Sequence, residues 1–221
     1  MEDRFGAGLY LELGNLEPAL YASQRAGELL RLRGVSRVSW WANCRPGRPE
    51  FPRRVPEGTL LGVAEVDEEF VPPEAPPGTT ARHFRRHARP AQGLLTGRPT
   101  TGILLVWISP RRPELTQGLR DWADFVHIRH IAAAAIPGFT MITPYDNASG
   151  EEQDPRFMHF YEMDCEDPES AFTTMTAHVA PRLGGEESDE FRHWADLRGA
   201  GGHIVYVNTF SLLGAREDGG P

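Results

Sequence analysis

Three side chains able to move a proton or bind a metal ion stand in one register near the middle of the sequence. They are Asp124, His127 and His130, spaced i, i+3 and i+6. On a helix, neighbours in such a set lie within reach of one another, while the outer two diverge. A metal ion needs three or four convergent ligands, so other elements would have to complete the site. His159 and His178 are the imidazoles available for that, and no metal is expected. A haem would draw on His130, His127 or His178 as axial ligand, with no haem motif to support it. Acid–base work without a cofactor suits the set better. A neutral imidazole removes a phenolic or α-carbonyl proton near pH 7, and a tyrosine hydroxyl holds the resulting oxyanion. The expected roles are His130 as general base, His127 as its partner, and Tyr161 or Tyr145 as oxyanion donor. Trp107, Trp122, Phe139 and His159 are expected to line the substrate pocket. The competing reading makes the histidines neutral, buried and bonded to backbone carbonyls, and the aromatics simply core.

These residues need a helix and strands to hold them. At about 100° per residue, Leu119, Trp122, Ala123, Val126, His130, Ala133 and Ala134 share one helix face, with His127 on its flank. Asp121, Asp124, Phe125 and Ile128 fall around the other side. The Ala132–Ala135 run favours helix, and Pro137-Gly138 ends it. Phe139 to Tyr145, rich in aromatic and β-branched residues, then reads as a strand.

The stretch His130-Ile131-Ala132-Ala133-Ala134-Ala135-Ile136-Pro137-Gly138-Phe139 resembles the EthD-like branch of the dimeric α/β-barrel superfamily. There a helix carries a histidine and a Pro-Gly turn leads into the second strand. The resemblance covers the second half of the chain. It implies a ferredoxin-like βαββαβ unit whose sheet pairs with another such sheet. Cofactor-free monooxygenases, cyclases, lyases and haem-handling enzymes share this fold, so the chemistry stays open.

The remaining segments fit that architecture. Gly8–Leu13, Val35–Asn43 and Thr59–Val66 read as strands, with a helix over Leu16–Leu32. Residues 1–71 are thus expected to form an incomplete N-terminal β-α-β-β half. Within it Arg45–Arg54 reads as a solvated arginine loop, and one ring of Trp40-Trp41 as facing a sheet–sheet interface. Residues 72–101, rich in Pro, Gly, Thr and Arg, read as a linker or surface arm. Residues 102–214 form the complete C-terminal half, and 215–221 a frayed tail. The expected fold class is α+β: antiparallel ferredoxin-like sheets packed as a barrel, in tandem with an incomplete first unit.

Composition narrows the function. The 221 residues carry a formal net charge of −8, which argues against nucleic-acid or anionic-membrane partners. All 23 basic residues are arginine, so Schiff-base chemistry, pyridoxal-phosphate attachment and a P-loop lysine are excluded. Cys44 and Cys165 form no CxxC pair, and no GxSxG, HExxH or post-strand GxGxxG appears. The charged opening Met1-Glu2-Asp3-Arg4 lacks an apolar signal region, and no apolar run approaches the roughly 20 residues of a membrane span. A cytoplasmic small-molecule enzyme is expected: a cyclase, lyase or monooxygenase for an aromatic or polycyclic substrate. A non-catalytic small-molecule-binding or structural protein is the alternative. A homodimer is expected from the aromatic surface of Trp40-Trp41, Phe157, Phe160 and Tyr206.

Overall fold

The computed structural model describes residues 7–150 and 153–217. The strands are β1 (Gly8–Gly14), β2 (Val35–Asn43), β3 (Leu60–Val66), β4 (Thr80–Arg86), β5 (Gln92–Gly93), β6 (Gly102–Pro110), β7 (Phe139–Asn147), β8 (Phe157–Met163) and β9 (Gly202–Glu217). Their order is β4-β1-β3-β2-β9-β6-β8-β7-β5, and β4 also pairs with β7. Every pairing is antiparallel. Eight strands therefore close into a barrel within one chain. The order 4-1-3-2 of a ferredoxin-like sheet occurs twice, in β4-β1-β3-β2 and in β9-β6-β8-β7.

Alternation along the strands fills the barrel. Leu9, Leu11 and Leu13 of β1 turn inward, with Leu11 opposite Val63 and Leu13 opposite Leu61. Trp107 meets Phe84 and Tyr206 at centroid separations of 5.9 and 5.6 Å. Trp41 is the inward member of the tryptophan pair, and Trp40 is only partly buried on the other face, as alternation requires.

β4 lies inside the stretch 72–101 that reads as a linker. Its inward positions Arg82 and Arg86 flank Phe84, which is fully buried. Arginines at the barrel ends hide the apolar alternation that would mark a strand. β4 supplies the first unit's fourth strand. That unit still lacks a second helix: residues 67–79 cross from β3 to β4 without one. β9 runs on to Glu217, which pairs with Arg37, so residues 215–217 are strand rather than frayed tail. The rest of that tail and residues 151–152 lie outside the described residues.

The loop at Arg45–Arg54 is also tighter than expected. Arg48 is 1% exposed and binds Glu169, with Nε 3.3 Å from Asn208 Oδ1 and its guanidinium 4.9 Å from the Phe172 ring centroid. A desolvated arginine held this way ties the loop to the first turn of the helix at Pro168–Thr173.

Candidate functional site

The helix expected to organise the chain spans Thr116–Trp122, a π-helical turn at Ala123–Ile128, and Arg129–Ala133. A π-turn inserts a residue into the helical repeat, so the face after it is rotated against a strict 3.6-residue count. Ile128 and Ile131 consequently point into the core at 1% exposure each. Asp124, counted on the outer side, is 2% exposed. His130, counted at the centre of the apolar face, is only half-buried. Burial, then Arg129 and Arg182, lower its pKa.

The buried polar side chains that result form a compact cluster. Arg120 and Asp124 come from the helix and His159 from β8, all nearly inaccessible. Arg120 Nη2 donates to the Tyr145 carbonyl at 3.1 Å and to Asp146 Oδ1 at 2.5 Å. Its Nη1 lies 3.5 Å from His159 Nε2 and 3.8 Å from Asp124 Oδ1, and the guanidinium sits 3.9 Å from the Phe157 ring centroid. Asp124 Oδ1 is 3.9 Å from His159 Nε2. Two buried atoms, Asp124 Oδ1 and Arg120 Nε, have no hydrogen-bond partner. Burial, then the charge of Arg120, hold the His159 pKa well below its ordinary value, so the imidazole is neutral at pH 7. Burial also lowers the Arg120 pKa. Tyr161, in the same layer, is raised by burial and by Asp124.

A strap covers the cluster. After β4 the chain runs along β7. The His87 amide donates to the Pro144 carbonyl at 3.0 Å, and the Leu94 amide to the Thr140 carbonyl at 2.7 Å. Arg89 Nη1 donates to Asp124 Oδ2 at 2.8 Å, and Nη2 to Asp121. Gln92 Nε2 donates to the Asp124 carbonyl at 2.8 Å. Asp124 thus faces the strap with one carboxylate oxygen and the cluster with the other.

The residues expected to act together are dispersed. Tyr145 and Trp107 point into the barrel, and Tyr145 reaches the cluster through its carbonyl only. His127 is stacked between Trp122 and Trp194 at 5.0 and 4.9 Å. Its Nδ1 donates to the Trp194 carbonyl at 3.0 Å, and burial is the main cause that brings its pKa down to about 4. Phe139 meets Tyr161 edge-on at 6.0 Å in the helix–sheet layer. His159 joins the cluster. His130 lines neither of the two cavities described, which measure about 490 and 140 Å³. Arg120 and Arg89 escaped the sequence reading. The i, i+4 pairing of Arg120 with Asp124 was the available signal. Among the described residues, no group of three or more His, Cys, Asp or Glu side chains is placed to hold a metal ion.

Comparison with solved structures settles the fold. A structure of an anthrone oxidase-like protein aligns over 99% of this chain and 95% of its own, at TM-score 0.59 and 14% identity. A candidate monooxygenase from Fusobacterium nucleatum aligns over 98% and 97%, at TM-score 0.54 and 8% identity. A regulator of staphylococcal pathogenesis aligns over 94% and 99%, at TM-score 0.51 and 8% identity. The fold is that of the dimeric α/β-barrel proteins. No family model and no curated protein matches the sequence. At such identities the likeness concerns the fold alone, and an oxidase-like protein and a regulator share it.

Proposed function

We propose that the chain is a small-molecule enzyme of the dimeric α/β-barrel type that moves a proton with its own side chains, and that the Arg120–Asp124–His159 cluster does this work. The observation that supports it is a desolvated guanidinium, carboxylate and imidazole with two unpaired polar atoms. Burying such groups costs several kcal/mol per ion unless each is fully bonded, and two atoms here are not. An open donor or acceptor in a buried site is met by water, an ion or a substrate, and here two such atoms fall in one cluster with an imidazole. A π-turn carrying the acid supports the same reading.

In this reading His159 Nε2 accepts the proton from an acidic C–H or phenolic O–H of an aromatic or polycyclic substrate. The C–H or O–H electron pair stays on the substrate as an enolate or phenolate. Arg120 stabilises that anion, and Asp124 the imidazolium. Cyclisation, elimination or reaction with dioxygen would follow from the anion. The cluster adjoins neither described cavity, so the substrate enters when the strap over Asp124 lifts. His159 takes the place of His130 as base because Arg120 and Asp124 lie beside it; neither histidine adjoins a described cavity. The EthD-like affiliation and a cytoplasmic setting belong to this proposal. The homodimer does too, though the sheet face that was its reason is covered within the chain.

Anthrone, whose ring CH₂ is acidic, is the first substrate to try. Oxygen uptake and the rise of a quinone absorbance should appear with the protein and stay at background in His159→Gln. Turnover indifferent to His159 would remove the assignment. The second reading, a non-catalytic binding protein, is favoured by one observation: the cavity of ligand size lies in the first unit, away from the cluster.

A further inference from the structure

Where the first unit lacks its second helix, the chain leaves a groove of about 490 Å³ between the helix over residues 18–30 and the extended segment 67–79. That volume is in the range of small-molecule sites. Its apolar surface comes from Leu16, Leu20, Ala75, Pro76 and Pro77. Leu20 is 52% exposed, so it holds open apolar surface facing solvent.

The polar lining is one-sided. Glu17, Glu28 and Glu74 line the groove, and Arg25 is its only cationic lining residue. The Arg25 guanidinium is consumed. Nη2 donates to Glu12 Oε1 at 2.6 Å, Nε lies 3.2 Å from both Glu12 oxygens, and Nη1 donates to Glu28 Oε2 at 3.0 Å. Glu12 itself is wholly buried and also accepts from Tyr21 Oη at 3.3 Å. Tyr21 reaches it because Gly62 leaves room: a Cβ there would lie 1.9 Å from the Tyr21 hydroxyl. A π-helical turn at Tyr21–Arg25 turns these two residues toward the sheet. Among the described residues Glu74 makes no ion pair; only its carbonyl is engaged, by Arg25 at 3.4 Å. Arg25 offsets one of the four charges of Glu12, Glu17, Glu28 and Glu74; Glu28 shares that guanidinium and Glu17 Oε2 accepts from the Leu20 amide at 2.7 Å, so the Glu74 carboxylate is the open one beside the apolar trough.

We propose that this groove binds a small organic cation: an ammonium group on an apolar or aromatic body. The ammonium sits on the Glu74 carboxylate, with Glu17 and Glu28 adding negative charge around it, and the body lies on Leu20, Pro76 and Pro77. The site is independent of the Arg120–Asp124–His159 cluster and stands whether or not that cluster is catalytic.

Three probes that share a body and differ in charge decide it: 2-phenylethylammonium, 2-phenylethanol and phenylacetate, titrated into the full chain by calorimetry and by amide NMR. The ammonium should bind at least about tenfold tighter than the alcohol, and the carboxylate weakest, with the preference shrinking in high salt. Shifts should fall on residues 16–28 and 74–77. Ala75→Trp should fill the groove and abolish binding while the thermal transition persists. If that variant does not fold, Gln24→Arg serves instead and should reverse the preference toward phenylacetate. Equal binding of the three probes, no binding at all, or binding unchanged in either folded variant would overturn the proposal.

Discussion

His127 is held between two indoles with its Nδ1 given to a backbone carbonyl, so protonation has to break a buried arrangement. Its folded pKa of about 4 lies below the unfolded 6.5, and in acid the unfolded chain takes up the proton first. Its contribution to stability is therefore complete above pH 6.5 and is lost as the pH falls toward 4, at roughly 3 kcal/mol in all. His159 acts in the same sense. Denaturant unfolding at pH 7 and pH 4.5 should show this loss, and His127→Phe should flatten it. An equally steep dependence in the variant would place the proton elsewhere. Asp124 is a second residue-scale case. Asp124→Ala leaves Arg120 and Arg89 without their shared anion and should cost about 3–5 kcal/mol in urea melts. A loss under 1 kcal/mol would mean the cluster is hydrated and loosely held. Residue type and spacing single out Asp124, His127, His130 and His159, but only Asp124 and His159 come together, while His127 lies between two indoles. Contacts between distant segments, such as Arg89 on Asp124, leave no local trace in a sequence.

Strands with ordinary punctuation were legible to within a residue or two: Gly8–Leu13, Val35–Asn43, Thr59–Val66 and Phe139–Tyr145 stand as Gly8–Gly14, Val35–Asn43, Leu60–Val66 and Phe139–Asn147. Asp167 caps the helix at Pro168–Thr173, and Ser188 the helix at Asp189–Ala195, each accepting from the amide three residues on. Gly138, at φ +90°, makes the reversal after Pro137 that only glycine takes without strain. Two elements escaped for stated reasons: the π-turn, because a strict helical period has no place for an extra residue, and β4, because its inward arginines break the apolar alternation. The strap between β4 and β6 is the element whose motion access requires. Leu94 and Leu95 on it are each 72% exposed, so it has little apolar anchoring. Polar links fasten it at both ends, with Arg89 on Asp121 and Asp124, and Arg98 Nη2 2.8 Å from Asp164 Oδ2. Arg89→Ala, or 0.5 M salt, should raise amide hydrogen exchange over residues 87–98 by about an order of magnitude while the barrel strands keep their protection. Unchanged exchange there would show that the strap is held by something other than these ion pairs.

The whole molecule closes its sheet on itself. Phe84↔Asn147, Arg85↔Asp146 and Arg86↔Tyr145 join the two halves, so the apolar faces expected to need a second chain are covered by this one. The proposed homodimer then has to use other surface, and Leu94, Leu95 and Phe125 remain exposed for it. Light scattering at micromolar concentration should give twice the mass of one 24.6 kDa chain, and the mass of one chain at all concentrations would show that the two halves satisfy each other alone. Among the described residues no helix is long and apolar enough to cross a membrane. Within the barrel architecture the base is the decisive assignment, and two histidines compete for it. His159 lies buried against Arg120 and Asp124, and His130 lies half-exposed on the helix after the π-turn. The most direct measurement is the steady-state rate of anthrone oxidation in His159→Gln beside His130→Gln, each first shown to be folded by circular dichroism. The rate should fall by about 10²-fold or more in His159→Gln and stay within twofold or so of the parent in His130→Gln. The reverse pattern would contradict the assignment and return the base to His130.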